Sequence, residues 1–453
     1  MKRARRRARR HGLALALVVV VGLLGGAVRQ AAAQAPAGAP VPMVPVAAPT
    51  PEVAPLAQAS APVPMMPATA PAPAASEVVV EIEPAPPEPA MPASSTGPTR
   101  TFAGSIQLDF LGVPTERLAR KDTLDGATVE LSLKLAVAFN DHVSASVKVC
   151  VACHGPELGM AFFDLRVADE LNVRVGRFTP AFGSFPVRHD PANHRTSDKP
   201  LPYDMGRMLH YRDWNEGILP APWVDNGVEL NGAKFFDGGQ LDYAAYAVGG
   251  PKGTAASSDF DFTLSRSGER YYVDNNSTPT VGARLGATLA LGDRSLLSLG
   301  ASGMAGHYDP DARLGFAIGG VDAVLQVRGV FLRAEYLVRR TEIDLGADPA
   351  TRWKYGPTAD GRLDAFTRKD GFYAELEVPV GPVDLIARWD GLRRWGNVLA
   401  TSALRSESAV LRSTAALAYR MTGNLRLKAS VELYDFSDFD DELAIHLGIA
   451  SPF

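Results

Sequence analysis

Residues 143–155 read V-S-A-S-V-K-V-C-V-A-C-H-G, and this stretch carries the clearest structural signal of the chain. Apolar and polar side chains alternate along it. Because successive side chains of a strand point to opposite faces, Val147 and Val149 share one face and Lys148 and Cys150 share the other. The pattern predicts a strand with one apolar and one polar face.

The same alternation recurs from Thr101 to the C-terminus, for example at Val129-Glu130-Leu131-Ser132-Leu133-Lys134. Short turns such as Gly292-Asp293 and Gly381-Pro382 alternate with long loops at about 249–279, 341–370 and 390–409. This arrangement is typical of a transmembrane β-barrel, whose inner face is polar because it meets water. We therefore predict an all-β fold over residues 101–453, an antiparallel transmembrane barrel of about 16 strands.

The last strand indicates the class of membrane. Leu443, Ile445, Leu447 and Ile449 share one face, and the chain ends on Phe453. This segment resembles the closing strand of Gram-negative outer-membrane proteins, where a C-terminal aromatic residue serves as the assembly signal. The resemblance implies an outer-membrane protein whose barrel contacts lipid and whose mature termini both face the periplasm.

Residues 1–33 are predicted to be an export signal. Basic residues precede an apolar run at 13–28, which is followed by Ala31-Ala32-Ala33. The alternative is a membrane anchor, but the run contains three glycines and is barely long enough to span. Cleavage would remove eight basic and no acidic residues, which changes the formal net charge from −4 to −12. That charge gives no support to nucleic-acid binding.

Residues 34–100 are dominated by proline and alanine. Such a composition does not bury a core and favours extended, disordered chain. We expect a disordered linker in the periplasm. The alternative is a spacer that reaches a partner at the cell wall or inner membrane.

Residues 179–224 form the longest segment without alternation, directly after the predicted fifth strand. Over residues 101–453 the chain resembles general and phosphate-selective porins in strand count and loop order. The resemblance implies a homotrimer that passes small hydrophilic solutes through a pore narrowed by this third loop. The predicted basic pore-lining residues are Lys134, Lys148, Arg166, Arg174, Arg188, Arg195, Lys199, Arg207, Arg284 and Arg333, and acidic residues such as Glu130, Asp164, Glu335 and Glu375 lie among them. A basic constriction favours anions; alternatively, acidic residues of the same loop neutralise it and hold the loop to the wall.

The string Cys150-Val151-Ala152-Cys153-His154 is the attachment pattern for c-type haem. Together with Gly155-Pro156-Glu157 it resembles cytochromes c over about ten residues, which implies a covalent haem with His154 as an axial ligand to the iron. The alternatives are a Cys150–Cys153 disulfide, a metal site at Cys150, Cys153 and His154, and free thiols. The candidate sixth haem ligands lie in the third loop: His189, His194, Met205, Met208 and His210.

Two functions follow from these patterns. The first is a passive porin for small solutes, with a preference for anions. The second is a barrel with one haem that passes electrons to a periplasmic or extracellular cytochrome. An enzyme is not expected, because no nucleophile with a positioned base stands out from the ordinary inward-facing residues.

Overall fold

A computed structural model of the protein describes residues 97–114, 126–152, 155–205, 211–214, 217–254, 256, 258–260, 262, 273–292, 294–356 and 363–453. The predicted export signal and almost all of the predicted linker lie outside these residues. Within the described part, no helix is long and apolar enough to cross a membrane.

The described residues form sixteen antiparallel strands that close into one barrel, which confirms the predicted fold class. Each strand pairs with its neighbours in the sequence, and β1 closes the barrel by pairing with β16. The strands are β1 Thr99–Gly112, β2 Gly126–Ala138, β3 Val143–Ala152, β4 Gly155–Ala168, β5 Leu171–Phe178, β6 Asp225–Phe236, β7 Gly239–Val248, β8 Thr280–Gly292, β9 Ser295–His307, β10 Gly315–Val327, β11 Val330–Glu342, β12 Phe366–Val380, β13 Val383–Trp395, β14 Glu407–Arg420, β15 Arg426–Phe436 and β16 Glu442–Pro452.

Alternation along the strands separates two surfaces. On β3, Val147 and Val149 are exposed on the outside, whereas Lys148 is buried on the inside. The last strand behaves in the same way, with Leu447 57% exposed and His446 fully buried. The outward apolar side chains form a surface suited to lipid, and the inward polar side chains surround the lumen.

The two ends of the barrel differ. We call one the turn end, because its connections are short, as at residues 237–238 and 381–382. Gly238 and Gly381 take positive φ values of 79° and 60° there, a conformation that favours glycine. The chain termini of the barrel meet at this end, where the Gly104 amide donates to the Phe453 carbonyl (2.7 Å). The other end, the loop end, carries the long connections.

Two predicted loops are shorter than expected. The connection after β11 covers residues 343–365 rather than 341–370, and that after β13 covers 396–406 rather than 390–409. The extra strand residues include Arg368 and Arg393, which are exposed on the outer surface. At this height polar side chains occupy both faces of the strand, so the sequence pattern of period two disappears although the backbone pairing continues.

The described residues contain little other regular structure. Three 3-10 turns, Pro186–Arg188, Leu201–Tyr203 and Tyr211–Trp214, lie between β5 and β6. A short α-helix, Pro349–Arg352, lies between β11 and β12.

Candidate pore and its constriction

Residues 179–224, which we call loop 3, connect β5 to β6 at the loop end. Phe182, Phe185, Leu201 and Tyr203 are each at most 2% exposed. Side chains of a loop outside the barrel would contact solvent, so this burial indicates that the wall encloses the loop. The described part of loop 3 therefore lies within the lumen.

Glu335 of β11 holds the first part of loop 3. Its carboxylate accepts hydrogen bonds from the Ser184 hydroxyl (2.7 Å) and amide (3.1 Å), and from the hydroxyls of Tyr203 (2.6 Å) and Tyr373 (2.6 Å). Gly183 fits beside this cluster because a Cβ there would lie 2.1 Å from the Tyr203 hydroxyl oxygen. Burial, reinforced by the nearby Glu335 carboxylate, raises the pKa of Tyr203 well above its usual value, so its hydroxyl remains a donor.

Basic residues of β13 and β14 hold the middle of loop 3. Arg388 donates to the Thr196 hydroxyl (2.9 Å) and the Asp198 carbonyl (3.0 Å). Arg412 donates to the Lys199 carbonyl (2.5 Å) and forms an ion pair with Asp390 of β13 (2.6 Å). Because backbone carbonyls accept from wall guanidinium groups, the loop is fixed by its main chain as well as by its side chains.

β15 continues this attachment. The buried ammonium group of Lys428 donates to the carbonyls of Pro191 (2.5 Å) and Thr196 (3.3 Å). Arg426 donates to the Ala192 carbonyl (2.8 Å). Three successive wall strands thus bind one continuous stretch of loop backbone.

On the opposite side of loop 3, Lys148 of β3 forms an ion pair with Asp190 and lies 3.1 Å from His189 Nε2. Burial, and then the charge of Lys148, lower the pKa of His189 to about 4. Burial alone would raise the pKa of Asp190, but His189 and Lys148 outweigh it and lower the pKa to about 2. At neutral pH this contact therefore joins a neutral histidine, a carboxylate and the Lys148 side chain.

A second inward segment comes from the connection between β7 and β8, residues 249–279. Asp259 of this segment forms ion pairs with Arg339 (2.6 Å) and Lys369 (2.7 Å). Burial would raise the pKa of Asp259, but these two cations lower it to about 2. The Lys369 ammonium also donates to the Trp214 carbonyl of loop 3 (2.6 Å), which links the two segments.

The described residues line two cavities on the turn-end side of loop 3. One has a volume of about 590 Å³ and the other about 180 Å³, and Lys134 lines both. The larger cavity contains more acidic than basic residues: Asp141, Asp164, Asp169, Glu229 and Asp242 against Lys134, Arg166 and Arg284. The approach to the constriction from this side is therefore lined by charges of both signs.

Most of the predicted pore-lining residues that the structure describes lie on the inner side of the wall or in loop 3, and most of those have partners. Arg174 pairs with Asp164 and Glu229, Arg284 with Asp322, and Arg333 with Glu375 and Glu377. In loop 3, Arg188 lies 4.0 Å from Glu375, Arg195 lies 3.3 Å from Glu377 and Asp384, and Lys199 donates to the Ala221 carbonyl. Arg166 is exposed near the turn end and pairs with Asp169, and Arg207 lies outside the described residues.

The predicted haem motif is described only in part. Cys150 is half-buried on the inner face of β3 and forms no disulfide among the described residues. It packs at a register shift in β4, where a Cβ on Gly159 would lie 3.0 Å from its sulfur. Cys153 and His154 lie outside the described residues, so haem, disulfide and metal at this motif all stay predictions.

The structure describes three of the five candidate sixth haem ligands. Both ring nitrogens of His189 are engaged, with Nδ1 2.5 Å from the Pro186 carbonyl and Nε2 next to Lys148. His194 is buried beside the Phe185 ring, and burial followed by the charge of Lys428 lowers its pKa well below the usual value. Met205 is partly buried in loop 3, and Met208 and His210 lie outside the described residues.

Sequence analysis missed two residues of the constriction. Asp390 was assigned to a loop, yet it lies on β13 and accepts from both Arg412 and the Leu201 amide (2.9 Å). His446 lies between Ile445 and Leu447, so the alternation of β16 already places it inward. A lone inward histidine carries no further sequence signal, and only the structure shows the carboxylates around it.

Comparison with known proteins finds no matching family model and no matching curated protein. Among solved structures, the chain is similar to an anion-selective porin from Comamonas acidovorans, with 11% identity, 79% of this chain and 100% of that chain covered, and a TM-score of 0.48. It is also similar to the outer-membrane channel DcaP of Acinetobacter baumannii, with 12% identity, 80% and 99% covered, and a TM-score of 0.47. For OprB of Pseudomonas putida the values are 11% identity, 79% and 94% covered, and a TM-score of 0.45.

Proposed function

We propose that the protein is an outer-membrane porin that passes small hydrophilic solutes. A closed barrel with apolar side chains outside and charged side chains inside is suited to a bilayer and to a wet interior. The observation that carries the proposal is loop 3, which lies within the lumen and is bound to the wall on both sides. A loop held in this position restricts passage to small molecules.

The proposal also covers the charge selectivity of the pore. The basic side chains of loop 3 are paired with wall carboxylates, as in Arg195 with Glu377 and Asp384. Paired charges project a weak net field. We propose weak selectivity, with Lys134 as the main contributor to any preference for anions, because it lines both turn-end cavities.

Planar-bilayer recording of the purified full chain tests this function. We expect discrete conductance steps and, in a salt gradient, a small reversal potential. Lys134→Glu should shift that potential towards cations. Lys234→Glu makes the same charge change on an exposed residue of the outer surface and should leave it unchanged.

A correctly folded barrel, recognised by its heat-dependent mobility on a gel, that gives no conductance would contradict the channel. Equal shifts from both variants would contradict the role of Lys134. The predicted homotrimer is checked separately, by chemical cross-linking of the protein in native membranes.

A covalent c-type haem is a second candidate, supported by the thiol of Cys150 on the inner face of the wall. Haem attachment consumes two thiols, and Cys153 and His154 would supply the second thiol and an axial ligand. A bound haem would provide one-electron redox chemistry and require a partner cytochrome. A haem stain of the denatured protein, made with the c-type maturation machinery, tests this. The stain should survive denaturation and disappear in Cys150→Ser/Cys153→Ser; an unstained wild type would contradict it.

A further inference from the structure

Three buried residues meet where loop 3 contacts β15 and β16. They are Asp198 of loop 3, Glu432 of β15 and His446 of β16, and their nearest ligand atoms all lie within 4.8 Å of one another. All three side chains are at most 4% exposed. Such a group of one imidazole and two carboxylates is a chemically competent set of ligands for a first-row divalent cation.

The histidine is the observation that points to a ligand. His446 is fully buried, and its Nε2 makes no hydrogen bond among the described residues. That nitrogen points at Asp198 Oδ2 (3.7 Å) and Glu432 Oε2 (3.9 Å). A buried polar atom without a hydrogen bond destabilises the folded state, and few such atoms occur in native structures.

The distances suit a shared ion better than direct contact. Both separations are too long for a hydrogen bond. Zinc–ligand bonds of about 2.0–2.2 Å in tetrahedral geometry separate neighbouring ligand atoms by roughly 3.4 Å. A contraction of a few tenths of an ångström would therefore bring each carboxylate oxygen to its coordinating separation from His446 Nε2, and the two carboxylates already lie within 4.8 Å of each other.

The second ring nitrogen of His446, Nδ1, has the hydrogen-bond partner that is usual for a metal-bound histidine. His446 Nδ1 lies 2.9 Å from Asp109 Oδ2. A histidine that binds a metal commonly donates its second ring N–H to a carboxylate, which fixes the ring and leaves the other nitrogen free for the ion. Asp109 of β1 would have this orienting role.

The site is rich in acidic side chains. The buried carboxylates of this cluster include Asp109, Asp198, Asp204, Asp390 and Glu432. Arg412 Nη1 lies 3.1 Å from Glu432 Oε2 and 3.7 Å from Asp198 Oδ2, so a bound ion would share these two oxygens with a guanidinium group.

We propose that Asp198, Glu432 and His446 bind a divalent metal ion of the zinc class. The ion joins loop 3 to β15 and β16, so it fastens the constriction to the wall. The site is separate from the Cys150–His154 motif, which lies at the connection between β3 and β4.

Cobalt titration of the metal-stripped full chain, without an affinity tag, tests the proposal. The Cys150→Ser/Cys153→Ser background removes thiolate ligands, so any visible d–d absorption comes from oxygen and nitrogen ligands. We expect one equivalent of Co²⁺ to produce these bands and Zn²⁺ to abolish them. His446→Gln should weaken binding at least tenfold. His194→Gln alters another buried histidine, in loop 3, and should bind as the parent does.

Three results would overturn the site. They are absence of stoichiometric binding in the parent protein, unchanged binding in His446→Gln, and equal loss in His194→Gln. If His446→Gln fails to give a heat-modifiable barrel, Asp198→Asn replaces it, because that change lies in loop 3 and leaves the strands intact. Absence of binding in the parent would show that His446 faces the two carboxylates as an imidazolium instead.

Discussion

The inner wall of the barrel has two contrasting regions. On β11 to β15 the inward positions carry long charged side chains, including Arg339, Arg388, Arg412 and Glu432, all nearly or fully buried. On β8 to β10 many inward positions carry small residues, as at Gly286, Gly300 and Ser302, which lie on paired strands. The first region binds loop 3 through many hydrogen bonds. In the second region, the small side chains allow loop 3 to come close to the strand backbone.

The difference shows how one fold positions a loop inside itself. Phe182 of loop 3 packs against the small-residue region, where a Cβ on Gly320 would lie 3.3 Å from its ring. Long side chains opposite reach across to the loop backbone. Loop 3 therefore packs closely against β8 to β10 and is held to β11 to β15 by hydrogen bonds and ion pairs.

Arg412→Met should have the largest effect, because it removes the most connected cation of the charged region. Arg412 contacts Asp390, Glu432, Tyr434 and the Lys199 carbonyl. Breaking a buried ion pair by removing one partner costs about 3–5 kcal/mol. Urea unfolding of the refolded barrel should show this loss, and protease should cut loop 3 faster.

Arg284→Met is the matched control in the small-residue region, since Arg284 pairs with Asp322 and touches Ser302. It should destabilise the barrel less and leave the proteolysis of loop 3 unchanged. Equal effects of the two changes on loop 3 would remove the distinction between the two regions.

Glu335→Gln should have a smaller effect, of about 1–3 kcal/mol, because a neutral amide replaces a carboxylate that accepts from Ser184, Tyr203 and Tyr373. Single-channel recording should show a larger and noisier current as the start of loop 3 loosens. Tyr203→Phe removes only one of these hydrogen bonds and should produce a weaker form of the same change. Unaltered currents in both variants would show that this cluster does not hold the loop.

A dependence on pH is predicted as well, through a single residue of loop 3. The pKa of His189 is about 4 in the folded protein and 6.5 without perturbation, so between these values only the unfolded chain binds a proton. Stability therefore falls as the pH is lowered from about 6.5 to 4. His189→Gln should flatten this part of the profile of the free energy of unfolding against pH. His142→Gln, at an exposed site on the turn end, should not; a profile that is unchanged in His189→Gln would refute the assignment.

Sequence alone was sufficient for the barrel, because alternation is a local property of each strand. It also marked residues 179–224 as irregular, and the structure places the connection between β5 and β6 at the same residues. Alternation could not show which charges meet. Arg412 and Lys199 are 213 positions apart in the chain, and their contact depends on how loop 3 folds back into the lumen.

The strand ends illustrate the same limit. Asp390 and Arg393 look like loop residues although they pair with β12 and β14. Around Arg393, polar residues on both faces remove the local signal. Backbone pairing continues because β12 and β14 extend as far, with Asp370 and Ala409 opposite Arg393.

The central claim is that loop 3 forms the constriction, and single-channel conductance tests it most directly. Residues 184–220 would be replaced by a short glycine-serine linker, with heat-dependent mobility on a gel confirming a folded barrel. We predict a conductance at least twice that of the intact protein. An unchanged conductance through a folded barrel would show that loop 3 does not limit the pore.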